Sequence, residues 1–151
     1  MNELLEVHEI FTTSQAAKDS FNYIVDYSHI DQWDHTILES NKVGKEPIKL
    51  GTRFELLYAR SEQEIPISYE ITEFTPARKA VLTGTSKNFT AIDIITVDQL
   101  DKGCRIDWLA KIEFFDLEAP IDTATVSAIK ESMRETLRGL KTTLDAQVNK
   151  L

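Results

Sequence analysis

The hydrophobic positions of this chain change their period once, near residue 120. Downstream, Ile129, Met133, Thr136, Leu140 and Leu144 recur at steps of three and four, which puts them on one face of a helix. The pattern predicts that helix over 120–151, a length of roughly 45 Å. Such a helix overruns a flat two-layer packing in so small a domain. It suits a strongly curved sheet that grips it along the diagonal, and a sheet of that shape leaves a hollow beneath the helix.

Upstream the period is mostly two. A first strand is expected at 4–12. Ser14 then offers an N-cap, and Ala16, Ala17, Phe21, Ile24 and Val25 give a short helix with an apolar face. A second helical turn follows at 28–33, with Asp26 placed to cap it and Trp33 to anchor it to the sheet. Six more strands are expected at 36–43, 52–60, 65–74, 79–86, 89–100 and 105–115. Gly51, the polar loop Ser61-Glu62-Gln63-Glu64 and the turn Thr75-Pro76-Ala77-Arg78 separate them, and Asp101-Lys102-Gly103 is the clearest hairpin signal. Links this short join antiparallel neighbours, because parallel strands need crossovers of about a dozen residues. The fold class is therefore α+β: a bent seven-stranded antiparallel sheet, two short helices after strand one, and the last helix across the concave face.

Alternation also assigns faces. Cys104, Ile106, Trp108, Ala110, Ile112 and Phe114 share the inward side of the last strand. Phe54, Leu56 and Tyr58 face in on the third strand, Ile67, Tyr69 and Ile71 on the fourth, and Ala80, Leu82 and Gly84 on the fifth. The small residues Ala80, Gly84, Ala91 and Ala110 favour a hollow over a filled core. On the sixth strand, Phe89, Ala91, Asp93, Ile95 and Val97 alternate with Thr90, Ile92, Ile94 and Thr96. Strand pairing favours the first set as inward, with Asp93 inside. The competing reading has Ile92 and Ile94 inside and Asp93 in solvent. An enclosed Asp93 needs hydrogen-bond donors, water or a raised pKa, and Tyr58 and Tyr69 are the donors the pattern offers. Glu9 poses the same question on the first strand, where neither alternating set wins. With Asp93 it would form a carboxylate pair for acid–base work.

Composition narrows the function. At 151 residues, with 42% hydrophobic and 28% charged positions, the chain reads as one domain over 1–151 with a core that needs no staples. A net charge of −8 without a basic stripe argues against nucleic acid as a partner and disfavours anionic membrane surfaces. Cys104 is the lone cysteine, so no intrachain disulfide and no cysteine-pair metal or redox site can form. The N-terminal segment lacks the basic and apolar regions of a signal peptide, and no stretch approaches the ~20 apolar residues of a membrane helix. A cytoplasmic location without an integral membrane segment is the expectation, and no feature specifies an oligomeric state. His29 and His35 flank Trp33 with Asp31 and Asp34 between them, but the spacing is not that of a metal site. There is no phosphate-cradling glycine loop, nucleophile elbow or Cys–His arrangement. No catalytic residue, metal or cofactor is assigned. Gly139, inside the last helix beside its apolar stripe, suggests a close approach to a strand.

Four segments together carry a family resemblance: Phe21-Asn22-Tyr23-Ile24-Val25-Asp26 running on to Gln32-Trp33-Asp34, then Leu50-Gly51-Thr52-Arg53-Phe54-Glu55, then 69–78, then Gly103-Cys104-Arg105-Ile106-Asp107-Trp108. With the element order they resemble the helix-grip fold of the START-like (SRPBCC) superfamily, in its polyketide cyclase/dehydrase and lipid-transport branch. The first helix departs from the pattern, opening Ser14-Gln15-Ala16 without the proline common near that start. These segments punctuate a fold and carry no catalytic motif. The resemblance implies a binding or carrier protein for a small hydrophobic molecule such as a lipid, polyketide or isoprenoid-like compound. A polyketide cyclase/dehydratase-type enzyme using the same cavity is the alternative, and a protein-interaction module a further one. The expected ligand-binding residues are Tyr58, Tyr69, Asp93, Trp108, Ala110, Ile129 and Met133.

Overall fold

The alternating segments pair into one antiparallel sheet in which the first strand lies at one edge, followed by the seventh, sixth, fifth, fourth, third and second. In this computed structural model, which describes residues 2–60 and 62–149, the strands are β1 (Glu3–Thr13), β2 (Ile37–Lys42), β3 (Arg53–Arg60), β4 (Gln63–Thr75), β5 (Lys79–Thr85), β6 (Phe89–Gln99) and β7 (Cys104–Phe114). Helix α1 (Ala17–Val25) and a 3-10 helix (Tyr27–Gln32) carry the chain from β1 at one edge to β2 at the other, and α2 (Thr123–Asn149) closes it. The expected α+β architecture is the one observed, with each strand boundary within two residues of its expected place. Gln63 and Glu64, expected in a loop, belong to β4, because Arg60 pairs with Gln63; Ser61 of that loop lies outside the described residues.

Local chemistry explains the differences at the helix starts. Ser14 does not cap α1: its N–H and hydroxyl donate to Asp145 on α2. The N-cap is Ala16, and the Gln99 side chain reaches over from β6 to accept the Ala17 N–H at 2.8 Å. Asp26 does cap the 3-10 helix, accepting from the Ser28 N–H at 3.1 Å. Helix α2 opens at Thr123 rather than 120, since Asp122 accepts the Thr125 N–H at 2.7 Å and so serves as its cap. Residues 150 and 151 of the expected helix lie outside the described residues.

The C-terminal half of α2 is fastened to the end of β1. Asp145 accepts from the Thr13 hydroxyl at 2.6 Å and from the Ser14 N–H at 3.1 Å, and it pairs with Lys141 at 2.8 Å. Burial alone would raise its pKa, but hydrogen bonds from Lys141, Thr13 and Ser14 outweigh that and hold the carboxyl at about 2. Gln15 and Gln147 add a bond at 2.8 Å. Leu137, Leu140 and Leu144 enter the core there, each worth about 1.5–3 kcal/mol of burial. Gly139 does allow a close approach, though to the end of the 3-10 helix rather than to a strand: a Cβ there would come 3.0 Å from the Trp33 carbonyl oxygen.

Gly84 is not part of a hollow. A Cβ on it would meet the Tyr69 ring at 2.7 Å, because the two residues are cross-strand partners and the ring lies over the glycine. Gly84→Ala is therefore expected to displace Tyr69 and cost about 1–3 kcal/mol, read as a lowered thermal midpoint. An unchanged midpoint would mean that the ring is free to move.

Candidate functional site

The inner face of the sheet and the N-terminal half of α2 enclose a cavity of about 160 Å³. Asp93 lines it from the middle of β6, so the inward reading of that strand is the one the structure adopts. Asp93 keeps some accessible surface on the cavity wall, while protein atoms surround its carboxyl. Its cross-strand neighbour on β7 is Ala110, whose small side chain leaves the space open. Of the four small residues expected to make room, Ala91 and Ala110 line the cavity; Ala80 is fully buried core, and the space at Gly84 holds Tyr69.

The donors to Asp93 are not the expected ones. Tyr27, the first residue of the 3-10 helix, donates its hydroxyl to Oδ2 at 2.5 Å, and Trp108 donates Nε1–H to Oδ1 at 3.3 Å. Tyr58 and Tyr69 line the same cavity without bonding to Asp93. Tyr27 is fully buried and held by edge contact with the Tyr69 ring at 5.1 Å and by Phe54 at 5.9 Å. Burial, and then the neighbouring Asp93 charge, push the Tyr27 and Tyr69 hydroxyls well above the ordinary tyrosine pKa. Both rings are phenols at any physiological pH.

Burial likewise raises Asp93, to about 6, against the opposing pull of the Tyr27 and Trp108 hydrogen bonds; the charge of Asp34 raises it further. Asp34 also lines the cavity, where it accepts from the Thr36 N–H at 3.0 Å. From α2 come Ile129, Ser132, Met133, Thr136 and Leu137, none of them charged. Tyr58, Tyr69, Asp93, Trp108, Ala110, Ile129 and Met133 thus stand around one space.

Sequence reasoning passed over Tyr27, Asp34 and Leu137. Leu137 had a signal, four residues after Met133 and three before Leu140 on the same stripe. Tyr27 had only a weak one, a polar-tipped ring at a junction of two helices. Trp33, expected only as an anchor, also lines the cavity and meets Trp108 edge-on at 5.8 Å.

Glu9 is on the α2 side of β1 but forms no pair with Asp93. Its carboxylate meets Arg134 of α2 at 3.3 Å, outside the cavity lining. His29 stacks on Tyr23 at 5.0 Å and His35 is exposed. No cluster of metal-ligating side chains occurs among the described residues, and no helix among them is long and apolar enough to cross a membrane.

Beyond the cavity lies a wider open groove of about 1440 Å³, bounded by the β3–β4 and β5–β6 turns and the segment leading into α2. Arg60, Ile65, Phe89 and Phe114 belong to both spaces, so the groove is the cavity's mouth. The Phe89 and Phe114 rings stand 5.7 Å apart there.

An Asp93 that ionises at about 6 when folded and near 3.8 when unfolded has a definite effect on stability. The unfolded chain loses its proton first, so this group's contribution is most favourable below about pH 3.8. It declines as pH rises to about 6 and is flat above, a total cost of about 3 kcal/mol. Asp93→Asn keeps an acceptor for Trp108 and a donor for the Tyr27 oxygen. It is expected to equal or exceed the parent in thermal midpoint at pH 7, and the difference should vanish towards pH 4. A variant less stable at pH 7 would mean that the charge is compensated by more than these two bonds.

The same architecture recurs in solved structures. An aromatase/cyclase from a Streptomyces species, Zhui, aligns with a TM-score of 0.73 at 10% identity, over 97% of this chain and 96% of its own. An uncharacterized protein from Rhizobium leguminosarum aligns with a TM-score of 0.76 at 11% identity, over 97% of both chains. Ara h 8.0201 aligns with a TM-score of 0.69 at 12% identity, over 94% of this chain and 98% of its own. Identities this low establish the shared fold alone. No curated protein matches the sequence. The family model for polyketide cyclase/dehydrase and lipid transport matches residues 13–145, the span from the end of β1 to the Asp145 anchor, and to that family the chain belongs.

Proposed function

We propose that the protein binds a small hydrophobic molecule in the cavity between sheet and α2. The observation that carries this reading is the cavity itself: about 160 Å³ of apolar-walled space with a few polar groups converging on it. A void of roughly 150 Å³ accepts one benzene-sized ring. The inner space therefore suits a single ring, and anything longer would extend past Phe89 and Phe114 into the groove. The family's association with lipids and polyketides, and the aromatase/cyclase of the same fold, agree with a hydrophobic ligand.

A second reading is catalytic, and Asp93 favours it. A carboxyl that titrates at about 6 exchanges its proton near neutral pH, as a general acid or base requires. The cyclase/dehydratase alternative would use it to move a proton on a bound chain. It predicts turnover of a bound polyketide-like substrate that disappears in Asp93→Asn, whereas a carrier releases its ligand unchanged.

Trp33 and Trp108 are the only tryptophans and both line the cavity, so intrinsic emission reports on its contents. Toluene is expected to alter that emission and to show saturation transfer from the protein. Met133→Trp, placed on the α2 side, should leave the protein folded and abolish the transfer. A parent that gives neither signal, with a variant destabilised by about 1–3 kcal/mol from overpacking, would mean a filled core and overturn the reading.

A further inference from the structure

Asp93 lacks a counter-charge. Its two bonds come from neutral donors, Tyr27 and Trp108, and none of the ion pairs among the described residues includes it. A carboxylate offers about four lone-pair sites, and these bonds occupy two of them. The rest of the wall adds negative charge rather than offsetting it. Asp34 lines the same space, the α2 residues facing it are uncharged, and the one basic lining residue, Arg60, stands at the mouth shared with the outer groove.

The remaining surfaces are aromatic. Tyr27 and Trp108 contact the carboxylate, Tyr58, Tyr69 and Trp33 line the same space, and Phe89 and Phe114 stand at the mouth. An aromatic wall favours a cation wherever a ring face is presented to it, the more so where water is excluded. A carboxylate ligand placed here would instead set a second anion beside Asp93, with no base inside to meet it.

We propose that the cavity takes a ligand bearing an ammonium group on a single ring, with Asp93 as its counter-charge, and turns carboxylates away. This rests on the cavity being a ligand site. The volume sets the ring, Asp93 and the aromatic faces set the cation, and the open groove leaves room for a substituent beyond the mouth. At neutral pH Asp93 is mostly ionised, as the pairing requires.

Benzylamine, benzyl alcohol and benzoate have nearly one shape and differ in charge, and toluene reports on the cavity alone. At pH 7.5, titrations followed by saturation transfer and by tryptophan emission are expected to rank benzylamine at least tenfold tighter than benzoate. Benzyl alcohol should fall between them. Asp93→Asn should bring the affinity ratio of benzylamine to benzyl alcohol to about one. Met133→Trp should remove benzylamine binding, which separates the cavity from adsorption of a cation on a protein of net charge −8. If toluene binds while benzoate matches or exceeds benzylamine, or if the ratio survives Asp93→Asn, the charge preference is wrong and the binding reading stands. If benzylamine binding survives Met133→Trp, it is surface adsorption and the proposal fails. If none of the four probes binds, both fall together.

Discussion

The fastening of Asp145 to the end of β1 fixes where α2 lies, and the cavity follows from that placement. Four donors converge on one carboxylate, the Thr13 hydroxyl, the Ser14 N–H and hydroxyl, and the Lys141 ammonium. With Leu137, Leu140 and Leu144 they hold the C-terminal half of the helix against the core. The N-terminal half lies over the cavity. Ile129, Ser132, Met133 and Thr136 close the cavity from above instead of filling it.

Asp145 and Asp93 show how donors and solvent decide the behaviour of one side-chain type. Asp145 collects four donors, one of them a cation, at the rim of the protein, and its carboxyl is held down at about 2. Asp93 collects two neutral donors deep between sheet and helices, and burial wins, raising it to about 6. The first acid stabilises the fold through its charge. The second costs stability when charged, because the wall that encloses it desolvates the anion more than its two donors compensate.

Much of the frame was legible because it is written in local signals. Alternation over 89–99 and 104–114, with Gly103 at φ +77° between them, leaves little choice but a hairpin. The three-and-four spacing of Ile129, Met133, Thr136 and Leu140 has one helical reading. The cavity walls on β3, β4 and β7 followed from parity alone. Gly84 misled for an equally physical reason. A glycine in a strand marks either space or a neighbour that has taken the space, and only the cross-strand partner, Tyr69, says which.

By itself the sequence determined the element order, the antiparallel hairpins and the inward parity of most strands, because each depends on residues a few positions apart. Tertiary structure decided the rest. It sent β1 to pair with β7 and left β2 at the far edge, since the 3-10 helix and α1 carry the chain across. It brought Tyr27 to Asp93 across 66 positions, and it gave Glu9 to Arg134 instead of to a second carboxylate. An enclosed carboxylate takes whichever donor the packing delivers, and the packing of a helix onto a sheet is set by the whole interface. No local period encodes that choice.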